Sequence, residues 1–208
     1  MRQHGIVSRY GRLASSIVSL LVLTAGAARA TDFVVRPAKD TNVVFTSKAP
    51  VETFEGKTHS MTGTLTLEPG TVGDSITVHL EVDLASLDTG KSLRNKHMRE
   101  EHLETAKYPK AVFDGATVLS PAGAKLEPGK SVAFQIEGTF ALHGVTRRLR
   151  CAATAVYTPQ GNKGGAIAFS ATFPVTLSDY SIKRPEFLFL KLAELQQVRV
   201  SAVASSAP

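Results

Sequence analysis

The sequence predicts an all-β protein, an antiparallel barrel of about eight strands with one short helical excursion over about 91–106. Three observations carry that expectation. Through most of the chain apolar and polar residues alternate with a period of two, the pattern of strands that bury one face. Turn-forming clusters such as Glu68-Pro69-Gly70 and Pro159-Gln160-Gly161 separate the alternating segments. Only between Asp83 and Phe113 does the alternation stop, in a stretch dense with charge. Closure into a barrel follows because it removes the exposed edges that an open sheet of this size would present.

Residues 1–30 stand apart from the rest. Arg2, Arg9 and Arg12 give a basic start, and Leu13 to Ala28 is mainly apolar but falls short of the ~18–20 strongly apolar residues of a membrane span. Ala28-Arg29-Ala30 then has the small-x-small form of a signal-peptidase site. The expectation is export, with a mature chain from about Thr31. The leader holds four arginines and no acid, so its removal takes the formal charge from +6 to +2, with 20 Lys and Arg against 18 Asp and Glu. That near balance provides no electrostatic footprint for nucleic acid. What remains suits one domain over 31–204, with a small-residue tail that frays from Ser201 and is disordered over 205–208. Cys151 is the only cysteine, so no internal disulfide forms and burial must hold the fold together.

Taken in order, the mature chain opens with short extended pieces, Phe33 to Arg36 and Val43 to Ser47. The next segment, 51–67, puts Met61, Gly63, Leu65 and Leu67 on one face. Ser75 to Asp83 is the clearest strand, with Ile76, Val78, Leu80 and Val82 inward. Ala111 to Leu119 and Val132 to Leu142 flank a polar Pro/Gly loop, and Val132, Phe134, Ile136, Gly138, Phe140 and Leu142 share a face. Arg147 to Tyr157 aligns Leu149, Cys151, Ala153, Ala155 and Tyr157; the strand after it aligns Ile167, Phe169, Ala171, Phe173 and Val175. Pro174 sits on the outward parity and calls for a bulge or a side without a ladder partner. Glu186 to Leu195 reads as a loop or helical turn before a last strand through Val198, Val200 and Ala202.

Inside the excursion, Leu93, Met98 and Leu103 are spread among Lys91, Arg94, Lys96, Arg99, Glu100, Glu101 and Glu104, a short charged helix. Ser86 or Thr89 is placed to cap its start, and Pro109 stops it. A lone helix in an all-strand chain covers something, most simply one end of the barrel. Ser86-Leu87-Asp88-Thr89-Gly90, Arg94, His97, Arg99 and the run Lys107 to Phe113 resemble the central signature of the YceI-like family. Gly138 to Thr146 resembles that family's G-x-L-T-x-H-G-V-T hairpin. The resemblance implies a bacterial, mostly periplasmic, lipocalin-like barrel that binds polyisoprenoid lipids. The chain departs from the family in having no Trp, and in having Asn95 where the family's helix carries an acid.

A closed sheet of about eight strands is just wide enough to fill with side chains or to hold one slim ligand. The small inward residues Gly63, Ala111, Gly115, Gly138, Cys151, Ala153, Ala155 and Ala171 fit either taper and bending of the strands or a hollow. Three successive small residues on one strand, Cys151, Ala153 and Ala155, favour a tunnel. Its expected lining is Leu65, Val78, Leu80, Phe113, Phe134, Ile136, Phe140, Cys151, Ala153, Phe169 and Phe173. With the resemblance, the ligand is a polyisoprenoid, isoprenoid quinone or similar long lipid, and no cofactor is called for. Arg94, His97 and Arg99 are candidate headgroup contacts, and Arg94 and Arg99 serve equally well as ties from the helix to Asp83 or Asp88.

Other motifs weigh less. The basic cluster Lys91, Arg94, Lys96, Arg99, Lys107 and Lys110 reads as a solvated helix face, or as a transient contact with a membrane surface. His97 and Glu101 share a helix face at i,i+4 while His102 points elsewhere, so H-x-x-x-E-H is not a metalloprotease pattern and no metal is expected. His143 is expected to satisfy turn backbone groups. With no nucleophile elbow, paired carboxylates or phosphate loop in the sequence, the chain is read as a binding protein rather than an enzyme. The alternative reading is a periplasmic stress or interaction protein with a packed barrel and an active charged surface. A homodimer stays open.

Overall fold

In the computed structural model, which describes residues 30–48, 52–70, 72, 75–161, 164–187 and 190–206, the alternating segments are strands. Along the chain these are β1 (Thr31–Val35), β2 (Asn42–Lys48), β3 (Thr53–Thr58), β4 (Met61–Leu67), β5 (Ser75–Asp83) and β6 (Lys110–Ser120). They continue as β7 (Ser131–Leu142), β8 (Val145–Pro159), β9 (Gly165–Thr176), the short pair β10 (Glu186–Phe187) and β11 (Leu190–Lys191), and β12 (Leu195–Ser206). The one α-helix, α1 (Ser92–His97), lies between β5 and β6. The main sheet is antiparallel throughout, and β1 closes it by pairing with β4 on one side and β12 on the other. Around the wall the order is β1-β4-β5-β6-β7-β8-β9-β12 and back to β1, so the barrel has eight strand positions. The closed antiparallel barrel with one short helix is the architecture the alternation called for.

Two positions are filled by broken strands. β2 takes the first half of β12, from Gln197↔Thr46 to Ser201↔Asn42, while β1 takes the second half, and β3 in turn pairs with β2. At the break Thr41 donates its hydroxyl to the Arg36 carbonyl at 3.0 Å, and its own carbonyl accepts from His59 Nδ1 at 2.6 Å. Pro174 meets its expectation: the ladder from β8 ends at Thr172, so the missing N–H leaves no gap there.

The two ends differ. At one, Phe33, Val35 and Ile167 are essentially inaccessible, and Val72 and Leu126 belong to the same buried cluster. Backbone bonds from Val72 to Ala124 and from Leu126 to Pro69 pin those loops to each other. At the other end lie α1, a 3-10 turn at Leu84–Ser86, and a second at Leu177–Tyr180 followed by the β10–β11 hairpin.

Three expectations need correction. The last strand does not fray at Ser201, and Ser205 and Ser206 are not a disordered tail, because β12 runs to Ser206 with β9 on one side and β1 on the other. Ala202 and Ala204 continue the inward parity at 3% and 0% exposure, and their small side chains are what the barrel's close packing there admits. Glu186 to Leu195 is no helical turn, since it contains the β10–β11 pair. Neither Ser86 nor Thr89 caps α1: its N-cap is Lys91, without a side-chain bond, and it is Asp83 that caps the 3-10 turn by accepting from Ala85 N at 2.9 Å. The expected leader lies outside the described residues.

Candidate functional site: an apolar cavity and its mouth

The inward faces of the strands do not meet. They enclose a cavity of about 1110 Å³, just beyond the roughly 300–1,000 Å³ common for small-molecule sites. Leu65 lines it from β4, Val78 and Leu80 from β5, Phe113 from β6, and Phe134, Ile136 and Phe140 from β7. Cys151 and Ala153 line it from β8, and Phe169 and Phe173 from β9. Thus all eleven side chains expected along a tunnel stand around one space. Ala155 and Ala171 line it too, with Ala153 and Ala171 directly opposite each other across the β8–β9 ladder.

The glycines do different work. Gly115 does not face inward as expected but is exposed: it lies in the positive-φ region (φ +62°) at a register shift between β6 and β7, after which Ala116 and Val118 are the buried residues. Gly138 comes so close there that a Cβ on it would stand 2.1 Å from the Gly115 carbonyl oxygen. Bending explains these glycines, and a hollow explains the alanines. Burial pushes the Cys151 thiol up to about 11, so it is a small apolar wall residue near neutral pH.

At the helical end the lining reaches solvent. Leu93, on α1, lines the cavity yet is 65% exposed, and Met98, Leu103, Leu84, Leu87, Phe54 and Leu192 complete an apolar rim. Sequence periodicity missed these because they come from the helix, the turns and a side strand. The available signal was the trio Leu93, Met98 and Leu103 inside an otherwise charged stretch.

What holds the helix over the opening is a polar knot built on Ser86 to Gly90. Asp88 bridges to Lys57 through two backbone bonds of 2.9 Å, which fixes the turn to β3. Asp88 Oδ1 accepts from Asn95 Nδ2 at 2.6 Å and from Gly90 N at 2.8 Å, and these donors hold its carboxyl below the usual range. Asn95 Oδ1 in return accepts from Thr89 N at 2.8 Å and from the Thr89 hydroxyl at 2.7 Å. Arg94 donates through Nε to the Thr89 hydroxyl at 2.9 Å and through Nη2 to the Thr89 carbonyl at 2.8 Å. Its Nη1 reaches Glu52 at 2.5 Å, and its guanidinium lies 3.9 Å from the centre of the Phe54 ring.

These bonds decide between the two readings of the basic residues. Arg94 lines the cavity, but its donors are committed to structure. Arg99 is not among the lining residues: its Nη2 donates to the Leu87 carbonyl at 2.9 Å, tying the helix to the turn. Lys91 lies 3.4 Å from Glu52 and Lys110 pairs with Glu81. Of the three candidate headgroup contacts, only His97 lines the cavity with an exposed ring, 3.9 Å from Glu101.

His102 does not point elsewhere, as α-helical spacing implied, but lines the cavity together with His97. The helix widens to a π turn over Met98–His102, with Leu103 N donating to the Met98 carbonyl five residues back at 2.8 Å. In that geometry residues five apart swing toward the same face. His102 Nδ1 donates to the Lys183 carbonyl at 3.0 Å, joining the helix to the segment after β9. His143 also lies at this end, bonded to the Tyr180 carbonyl at 3.0 Å and to Glu104 at 2.7 Å, its ring 4.5 Å from Tyr108. Among the described residues no three His, Cys, Asp or Glu side chains are placed to share a metal ion, and no helix is long and apolar enough to cross a membrane.

Comparison with known proteins places this geometry. The YceI-like domain family model matches residues 33–204. A UPF0312 protein of Vibrio parahaemolyticus is 28% identical over 131 residues, which cover 62% of this chain and 65% of that one. A UPF0312 protein of Shewanella sp. is 33% identical over 111 residues, covering 52% and 54%. In neither case does the match span two thirds of the relative's length. Among solved structures, Burkholderia cenocepacia BcnA superposes with a TM-score of 0.65 at 19% identity, over 82% of this chain and 99% of that one. A polyisoprenoid binding domain from Saccharophagus degradans, implicated in plant cell wall breakdown, gives 0.65 at 18% identity over 86% and 100%. The barrel fold is shared with both.

Proposed function

The chain belongs to the YceI-like domain family, and from that premise we propose that it is an exported binding protein which holds one long apolar lipid, a polyisoprenoid, isoprenoid quinone or similar chain, inside the barrel. The observation that carries the reading is the cavity of about 1110 Å³ with its lining of Phe, Leu, Ile, Val and Ala. A cavity of about 150 Å³ accepts benzene, so a space roughly seven times larger suits a chain of a few tens of carbons. Each CH₂ brought in from water contributes about 0.8 kcal/mol, and such a chain binds without any specific polar contact along its length. That the solved barrel from Saccharophagus degradans is described as polyisoprenoid binding supports the choice of ligand class.

Export to the periplasm rests on the leader-like residues 1–30, and a binding role rather than catalysis is supported by the engagement of Arg94, Asn95 and Arg99 in holding the helix. The alternative, a solidly packed barrel acting through its surface, does not fit the hollow interior. Uptake of prenyl lipids of graded length tests the proposal. Ala153→Phe is expected to keep the fold and reduce uptake, and adding Ala171→Phe across the ladder is expected to abolish it for the longest chains. Folded wild-type protein that takes up no prenyl lipid would overturn the reading.

A further inference from the structure

The polar groups at the mouth divide into those that are satisfied and those that are not. Glu52 takes up Lys91 and Arg94, and Arg184 donates to the Leu192 carbonyl and lies 3.9 Å from Glu194. Left over is a small group on the lining itself: His97, Glu101 and His102 from the helical segment and Lys183 from the segment facing it. No described carboxylate pairs with Lys183. Among the described residues, the acid that faces the imidazoles is Glu101, at 3.9 Å from His97. Burial pulls His102 below the usual imidazole range, and nearby His97 and Lys183 further disfavour its charged form, against the opposing pull of the Lys183 carbonyl and Glu101.

His102 Nδ1 must carry hydrogen, because its partner, a carbonyl, can only accept. Its Nε2 is therefore the nitrogen that gains or loses the titrating proton. Three cation-capable groups gathered at the polar edge of an apolar tunnel, with Glu101 as the one described carboxylate beside them, form a receptor for an anion. We propose that the mouth selects long-chain amphiphiles with a phosphate, diphosphate or carboxylate head over neutral ones of equal length, the head meeting His102, Lys183 and His97 while the chain fills the barrel. The inference rests on the lipid-holding reading of the cavity and adds to it the charge of the ligand's exposed end. Binding is then coupled to pH: an anionic head draws a proton onto His102 Nε2, so selectivity strengthens as pH falls through the imidazole range and weakens above it.

The test compares geranylgeranyl diphosphate, geranylgeraniol and inorganic pyrophosphate on the wild-type protein and on Lys183→Ala and His102→Gln. The exposed Lys183 makes no described bond through its side chain, so the first variant leaves the fold intact. Expected is affinity for the diphosphate lipid about tenfold or more above the alcohol, as one charge-assisted contact provides. The gap is expected to shrink in both variants, the diphosphate lipid losing more affinity than the alcohol, and to widen between about pH 8 and about pH 6 by more in the wild type than in His102→Gln. Equal affinity for both lipids would overturn the inference and leave the cavity reading standing. Binding of neither lipid would overturn both. Pyrophosphate bound as tightly as the lipid diphosphate would make the mouth a site for free anions and also overturn the inference.

Discussion

Asn95 shows how much a single side chain decides in this molecule. Its amide reads two neighbours of opposite need, giving a hydrogen to Asp88 and accepting two from Thr89. Asn95→Asp removes the donor and sets a second carboxylate against Asp88, so the melting temperature is expected to fall by roughly 2–4 °C for each 1 kcal/mol lost. The sign of the pH response separates this cause from a general loss of packing. In the wild type the lowered Asp88 titration adds stability above the carboxylate range and loses it in acid. In the variant the two acids raise each other, so its deficit is expected to be full near neutrality and to shrink below about pH 4; a deficit independent of pH in thermal melts would count against the account. None of this was legible from the residues alone. Ser86 and Thr89 have the chemistry of caps, but whether they cap the helix or serve the turn depends on where β3 lies. Cys151 was legible, because parity alone put it inward. It is expected to stay unreactive toward a water-soluble disulfide reagent until the protein unfolds, and rapid labelling of the folded state would contradict its placement in the wall.

Among elements, the strands announce themselves and the helix does not. Alternation in β5, β7, β8 and β9 gave both the element and its inward face, since a one-residue slip would have turned every apolar side chain outward. The same rule carried past Ala202 in β12 would have found Ala204, had the small residues there not been read as a frayed end; the closing partner β1, whose Val35 stands opposite Ala204, accounts for its burial. In the helical excursion α-spacing failed at His102 because a π turn changes which residues share a face, and a five-residue hydrogen bond has no sequence signature. The bend between β6 and β7 gives a prediction at this scale. Gly138→Ala would set a Cβ against the Gly115 carbonyl and the Phe113 ring, so a loss of about 1–3 kcal/mol in denaturant midpoint experiments is expected. No measurable loss would mean that the two strands do not approach as described.

For the whole molecule, the closed ladder explains why a hollow can persist. Eight strands bonded all the way round keep their shape without a filled centre, and the plug at Phe33 and Ile167 together with the helix at the mouth makes a cup rather than a pipe. The sequence indicated a tunnel through one strip of small residues, but it held no information on the cavity's volume, which depends on how far the Phe rings of facing walls stop short of each other. It also could not show which basic residues are spent on structure, because Glu52 and the carbonyls of Leu87 and Thr89 reach Arg94, Arg99 and Lys91 only in the fold. The central claim is that this cup carries a lipid. Its most direct test is the native mass of the protein purified from its own cell envelope without detergent exchange. The account predicts a population heavier than the chain by one prenyl-type lipid, released by organic solvent and missing from the Ala153→Phe/Ala171→Phe variant. A folded protein whose native mass equals that of the chain alone, and which stays so after incubation with prenyl lipids, would contradict it.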